Sequence, residues 1–308
     1  MSNPFFSVII PSYNRAHLIS KTIDFVLRQT YRDFELIIID DASTDNTEAV
    51  VREFNDSRVI YYKNEKNLER SASRNKGIKL AKGTFVCFCD SDDHWHQNHL
   101  SVIKEAIISN AHRDALYFTG MIWCFSDRKQ EVLFPKPEGN LIEYVISNQI
   151  APSTVCISIS ILRKYRFKED LKINEDVELL SRIVSEYGLI QVPFATIDFN
   201  IHHNNTKALT KDYISPQIAA FKIICSSPIT KNKISRGFKR NRFKQLRHQL
   251  INHYYKSSDF CKMDIEIIRF LCLYPFDSQN KSKFVLLLYH LPGGNILRNI
   301  VGFIKKGV

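Results

Sequence analysis

Five short apolar runs recur through the first 125 residues, and helix-length stretches lie between most of them. The runs are Phe6–Ile10, Phe34–Asp40, Val59–Tyr62, Thr84–Asp90 and Ala115–Thr119. Helical patterning is read at residues 16–29, 47–55, 69–82 and 97–109. Strand and helix alternating at this spacing predict a Rossmann-like, mostly parallel central sheet with helices on both faces. The first, second and fourth runs are apolar almost throughout, as strands covered on both faces must be. In such a sheet ligands sit beyond the carboxyl ends of the strands. Those ends carry the polar clusters here: Ser12 and Asn14, then Asp40 and Asp41, then Asp90, Asp92 and Asp93.

The alternation loosens after residue 125. A short helix is expected at 141–148, a strand running into a turn at 154–162, a helix at 174–187 and a late strand at 192–199. The domain reading follows. Residues 1–212 form one α/β domain, split into a half at 1–125 and a closing half at 126–212; residues 213–308 form a basic, mainly helical region.

Charge marks the same boundary. Residues 1–206 hold 24 Lys or Arg against 27 Asp or Glu, whereas residues 207–308 hold 19 against 5. A tail so positive calls for an anionic partner, a membrane surface or nucleic acid. Seven cysteines without C-x-x-C spacing argue against a disulfide framework or a zinc knuckle and for a reducing compartment. The start Met1–Phe6 has no secretory pattern, and no run reaches 18 apolar residues. A cytoplasmic chain without a membrane span is expected, either free or peripheral on the inner face of the membrane.

Asp90-Ser91-Asp92-Asp93 packs three carboxylates into four residues. Their repulsion calls for a positive partner, and a hard divalent cation with oxygen ligands, Mg²⁺ or Mn²⁺, is the natural one. A helix N-cap is the alternative, though a cap accounts for one aspartate more easily than three. Asp40 and Asp41 suit either a cap or a ribose or base edge. Neither Gly-x-Gly-x-x-Gly nor a P-loop follows the first strand, which argues against NAD enzymes and P-loop ATPases. Arg70, Arg74 and Lys76 suit either phosphate contact or a solvated helix face. Glu175 and Asp176 suit an acidic first turn, and His202 with His203 suit either metal or phosphate contact or simple packing. Beside the cluster, His94, Trp95 and His96, with Tyr117, Phe118 and Trp123, suit either an acceptor wall or the core.

Taken in order, Ser7-Val8-Ile9-Ile10-Pro11-Ser12-Tyr13-Asn14-Arg15, Phe34 to Thr47, Ala72-Ser73-Arg74-Asn75-Lys76-Gly77-Ile78, Phe88-Cys89-Asp90-Ser91-Asp92-Asp93 and Asn174-Glu175-Asp176 resemble a family 2 glycosyltransferase of the GT-A fold, of the kind that builds bacterial surface polysaccharides. The resemblance covers roughly residues 5–206. It implies that Pro11, Ser12 and Tyr13 line the nucleotide, Asp41 contacts the base and Asp92 the ribose. Asp93 would hold the metal, with Asp90 completing an Asp-x-Asp pattern. Asp176 would be the general base, and His202 resembles a late histidine near the diphosphate, although Asn200 stands where an arginine is usual. The implied reaction is an inverting transfer from a nucleotide-diphosphate sugar, a UDP-sugar first, to a hydroxyl of a glycan or lipid-linked saccharide. The acceptor's identity does not carry over.

Two other functions compete. A nucleotidyltransferase or sugar pyrophosphorylase would carry a glycine-rich loop where Pro11-Ser12-Tyr13-Asn14-Arg15 stands, and would release pyrophosphate. A nucleic-acid binder would use the basic tail, but residues 1–206 are net negative and hold no recognised RNA or DNA module. In the tail, Lys231–Arg247 is basic throughout, while Phe284–Tyr289 and Ile296–Ile304 are apolar beside Arg298, Lys305 and Lys306. Such a mixture suits either an anionic membrane surface or a helical cap on the body.

Overall fold

A computed structural model describes residues 3–200, 212–275, 277, 280, 282 and 283. The described chain holds a single mixed sheet with helices. Strands β1 (Phe6–Ser12), β2 (Phe34–Asp40), β3 (Val59–Lys63) and β4 (Phe85–Phe88) lie parallel in the order β3-β2-β1-β4. Helices α1 (Ile19–Leu27), α2 (Thr47–Arg52) and α3 (Glu69–Leu80) make the crossovers. Every residue of β2 and β4 is buried, which explains why β4 is wholly apolar and why β2 is apolar apart from Glu35, which accepts from the Ser7 hydroxyl, and Asp40 at its end. Because Ser12 pairs in register with Asp40, the polar ends of β1 and β2 arrive together at one edge.

Beyond β4 the sheet becomes mixed. β8 (Val155–Ser158) runs antiparallel to both β4 and β6 (Ala115–Cys124). β6 pairs in parallel with β9 (Gly188–Asn200), and β9 pairs antiparallel with β5 (His94–Trp95). β7 (Lys129–Val132) hangs on the end of β6. Neither β5 nor β7 is announced by an apolar run; one is two residues long and the other is a charged edge strand. The strand expected at 154–162 is three elements, a 3₁₀ turn at Pro152–Thr154, β8, and α6 (Ile159–Lys164). The chain turns helical at Ser158, whose hydroxyl accepts from Ser160 N and caps α6. α4 (His99–Ser109), α5 (Leu141–Asn148) and α7 (Glu175–Val184) complete the covering helices.

α3 lies close on β1. A β-carbon on Gly77 would stand 2.4 Å from Ile9 Cγ2, so only glycine allows this approach. The helix that carries Arg70 and Arg74 is thereby held against the strand that ends at Ser12.

The chain divides into two compact units, Met1–Thr210 with Ala220–Ile234, and Lys211–Ala219 with Ser235–Val308. α8 (Ile214–Ser226) contributes residues to both. In the second unit, α9 (Arg236–Lys256) and α10 (Phe260–Leu273) share a small core of Ile251, Met263, Ile267, Phe270 and Tyr274. Among the described residues no helix is long and apolar enough to cross a membrane. All seven cysteines are free thiols, and Cys87, Cys89 and Cys156 lie in the core.

Candidate active site

The loops after β1 and β2 are laced together at the carboxyl edge of the sheet. Asn14 takes a left-handed conformation (φ 52°), its N–H donates to Ser43 Oγ at 2.9 Å, and its Oδ1 accepts from Thr44 N at 2.8 Å. This lacing presents Tyr13, 46% exposed, beside buried Ser12, whose hydroxyl has no hydrogen-bond partner among the described residues. The two aspartates ending β2 have separate jobs. Asp40 is structural, with Oδ1 accepting from Ser43 N at 2.7 Å and Oδ2 from the Tyr61 hydroxyl at 2.6 Å. Asp41 Oδ1 is steadied by Asn64 Nδ2 at 2.8 Å and Leu68 N at 2.9 Å, and Lys76 Nζ in turn holds Asn64 Oδ1 at 2.8 Å. Lys76 is thus a support for Asp41.

The acidic cluster after β4 is not a helix cap. α4 begins at His99 with Asn98 at its N-cap position, well past Asp93. The cluster is a tight turn, with Asp93 N donating to Asp90 O at 3.1 Å. Thr22 Oγ1 pins Ser91 O at 3.0 Å, and Ser153 Oγ accepts from Asp90 N at 3.1 Å. Asp93 is buried, and its Oδ2 has no hydrogen-bond partner among the described residues. Burial, then Asp90, then Asp92, push the Asp93 carboxyl well above the usual range, against a hydrogen bond with Ser153.

An orphaned carboxylate oxygen inside a cluster of acids fits a divalent cation. Among the described residues no three His, Cys, Asp or Glu side chains form a ready-made metal cage. Mg²⁺ and Mn²⁺ sites of the phosphate-bridging kind need only one or two carboxylates, the remaining positions going to water and phosphate oxygens. Asp93, with Asp90 beside it, meets that requirement.

Arg74 joins this turn to the first turn of α7. The guanidinium is 2% exposed, with Nη2 2.7 Å from Asp90 Oδ1 and Nη1 3.0 Å from Glu175 Oε1. Burial opposes its charge, and Asp90 and Glu175 more than offset that, so its pKa is raised. Arg70 adds a second cation, 3.4 Å from the same Glu175 oxygen, and donates to Lys172 O at 2.8 Å. Asn174, left-handed at φ 59°, turns the chain into α7 immediately before Glu175. Asp176 follows, partly buried, accepting from its neighbour's amide, Val177 N, at 2.7 Å. Burial and then Glu175 raise the Asp176 carboxyl to about 7, against the pull of Val177 N, Arg74 and Arg70. The two acids of this first turn therefore differ: Glu175 anchors the arginines, and Asp176 holds a carboxyl that titrates about neutrality.

The remaining expectations divide. Trp95, Tyr117 and Phe118 are core residues, whereas Trp123 is partly exposed. His96 Nε2 lies 2.8 Å from Asp198 Oδ1, and Lys129 Nζ lies 2.9 Å from Asp198 Oδ2, tying β5 and β7 to β9. His202 and His203 lie outside the described residues. The element that reading along the chain missed is the Arg74–Glu175 bridge. Its one signal was an arginine on a helix that had to pass the acidic strand end.

Residues 7–166 match the profile of glycosyl transferase family 2. Over 201 residues the chain is 33% identical to the putative colanic acid biosynthesis glycosyl transferase WcaA of Escherichia coli K12, covering 61% of this chain and 68% of that one. Over 110 residues it is 43% identical to the Escherichia coli UDP-Glc:α-D-GlcNAc-diphosphoundecaprenol β-1,3-glucosyltransferase WfgD, covering 36% of this chain and 44% of that one, less than half its length. Among solved structures, Staphylococcus aureus TarS 1-349 in complex with UDP-GlcNAc has a TM-score of 0.62 at 21% identity, over 94% of this chain and 80% of that one. The Pyrobaculum calidifontis mannosyltransferase PcManGT in complex with GDP-Man and Mn²⁺ has a TM-score of 0.58 at 15% identity, over 94% and 88%. These two likenesses are of fold. The chain belongs to glycosyl transferase family 2 and has the GT-A fold.

Proposed function

We propose that this chain is an inverting, metal-dependent glycosyltransferase that moves a sugar from a nucleotide-diphosphate donor, a UDP-sugar, to a hydroxyl of a glycan or lipid-linked saccharide in cell-surface polysaccharide synthesis. The observation that carries the reading is the chain of contacts Asp93–Asp90–Arg74–Glu175, sealed at Asp93, Arg74 and Glu175 and half-open at Asp90, with Asp176 at its end. It joins an incomplete cation site to a base poised near neutrality. Support for the donor and acceptor comes from relatives: WfgD is named for UDP-Glc and a diphosphoundecaprenol-linked acceptor, TarS was solved with UDP-GlcNAc, and PcManGT with Mn²⁺.

In this reading Pro11, Ser12 and Tyr13 line the nucleoside, Asp41 meets the base and Asp92 the ribose. Asp93 and Asp90 would hold Mn²⁺ or Mg²⁺, which supplies positive charge for the departing diphosphate. His202 is added to them on its resemblance to the late histidine that some family members place near the diphosphate. Arg74 is a positioning residue: both Nη atoms are engaged, one fixing Asp90 and the other Glu175. Arg70 keeps a partly exposed edge from which to meet a phosphate. Asp176 takes the proton from the acceptor hydroxyl as its oxygen attacks the anomeric carbon. The bond to the diphosphate breaks on the opposite side, so one displacement inverts the centre and no second nucleophilic carboxylate is needed. Residues 1–212 would do this chemistry, and residues 213–308 would hold the enzyme at the cytoplasmic face of the membrane.

A thermal-shift screen of UDP-, GDP-, CMP- and dTDP-sugars, with and without Mn²⁺, tests the reading. A stabilisation by UDP-sugars that requires the metal is expected. No shift with any of the four would sink it. Release of nucleoside diphosphate on turnover separates transfer from pyrophosphorylase chemistry, which releases pyrophosphate.

A further inference from the structure

α10 buries one face and leaves an apolar stripe on the other. Met263, Ile267, Phe270 and Tyr274 pack with Ile251 of α9. On the opposite arc, Cys261, Ile265, Ile268 and Cys272 follow one another at i, i+4, i+7 and i+11, the spacing of a single helix face. Ile265 is 45% and Ile268 50% exposed, and both cysteines are exposed. Lys262 and Arg269 border the stripe with side chains 62% and 60% exposed. On α10 itself charge is balanced, with Lys262 paired to Asp259, Arg269 paired to Glu266, and Asp264 on the same helix, so the positive excess of the helix pair comes from α9. The companion helix α9 carries Arg236, Lys239, Arg240, Arg242, Lys244, Arg247 and Lys256 and no acid. The exposed aromatics Tyr255 and Phe260 flank the turn between the two helices.

An apolar stripe on a charge-balanced helix, paired with a helix that carries seven cations and no acid, matches an anionic lipid surface. The apolar face enters the boundary between headgroups and acyl chains, and the cations meet lipid phosphates. A second copy of the chain fits less well, since two-fold pairing through this face would bring two net-positive helix pairs together. We propose that the Cys261–Cys272 stripe of α10, backed by basic α9, docks the protein on an anionic bilayer. The inference rests on the reading that the enzyme works at the membrane face, and it assigns the surface that makes the contact.

The two native thiols in the stripe make a direct test in the full-length protein. A water-soluble maleimide, with peptide mass spectrometry, measures labelling at Cys261 and Cys272 in buffer, with phosphatidylcholine vesicles, and with vesicles one-third phosphatidylglycerol. Co-sedimentation is measured in parallel. Fast labelling in buffer is expected, slowed at least about fivefold by anionic vesicles and unchanged by neutral ones. Cys124, which lies outside the second unit, should label at one rate throughout. Slow labelling in buffer alone would mean that a second copy or the chain's own residues cover the stripe, and would overturn the proposal. Co-sedimentation without protection would overturn the surface while leaving the membrane reading standing. Failure to co-sediment would remove both. An Ile265→Ser, Ile268→Ser double variant, altered only at exposed positions, should lose most vesicle binding while its melting temperature and its activity on a soluble acceptor stay unchanged. Undiminished vesicle binding would count against the stripe.

Discussion

Asp176 carries a carboxyl raised to about 7 by burial first and by Glu175 second, with Arg74 and Arg70 pulling the other way. In the proposed role it acts unprotonated, so kcat/KM should fall roughly tenfold for each pH unit below 7 and level off about one unit above it. A profile flat from pH 6 to 8 would contradict the assignment of Asp176 as the base. Asp176→Asn should lower kcat by about 10²–10⁴-fold with nucleotide affinity nearly unchanged, and retention of more than about a tenth of the activity would clear Asp176 of the role. The same shift has a stability consequence. A carboxyl with a raised folded-state pKa contributes stability that is complete below its unfolded value and is lost as pH rises through about 7. The Asn variant lacks that loss, so it should melt at a higher temperature than the native protein at pH 8 while being far less active. Arg74 is the converse case, a sealed cation between two acids. Arg74→Gln leaves Glu175 buried without its close partner and should cost about 3–5 kcal/mol in denaturant unfolding. Where that variant still folds, its pH–activity limb should move upward, because a group that now lowers the Asp176 pKa is gone.

Elements owe their positions to contacts of this size. α3 reaches its place on β1 because Gly77 has no side chain to meet Ile9. Gly77→Ala would force the helix outward at 2.4 Å from Ile9 Cγ2, costing about 1–3 kcal/mol in thermal or denaturant unfolding. Since Arg74 rides on α3, the same variant should also weaken donor-dependent stabilisation. Loss of stability with donor binding intact would show that Arg74 tolerates the shift. Helices and long strands were legible along the chain because their apolar spacing repeats. The short strands β5 and β7 were not, since two residues in one and a charged edge in the other have no period to read. The turn at Ser158 was hidden for a related reason: Val155 to Leu162 is suitably apolar for a strand, and a single cap changes its course to a helix.

At the scale of the whole molecule the division of charge dominates. Residues 207–308 carry 19 basic against 5 acidic residues, and of the two described helices of this unit α9 carries that excess while α10 is balanced. Binding to anionic vesicles should therefore weaken steeply as salt rises from about 0.05 to 0.5 M, while transfer to a soluble acceptor changes little. Salt-independent binding would point to apolar insertion alone. The candidate site draws on both halves of the first unit, the parallel half supplying Ser12, Asp41 and Asp90 to Asp93, the mixed half supplying Ser153, Glu175 and Asp176.

By itself the sequence determined the alternating architecture, the edge at which ligands bind, and the aspartates that stand there. Each of these is a local property: an apolar run ends, and the residue that ends it lies at the rim. Only the tertiary structure decided what those residues do to one another. Arg74 and Glu175 are 101 positions apart, and no spacing rule joins them. Asp93 and Asp176 are ordinary aspartates until burial removes the water that would have screened their neighbours. Roles within the acidic cluster depend on desolvation and on contacts across the chain, and both arise only when the sheet closes around them.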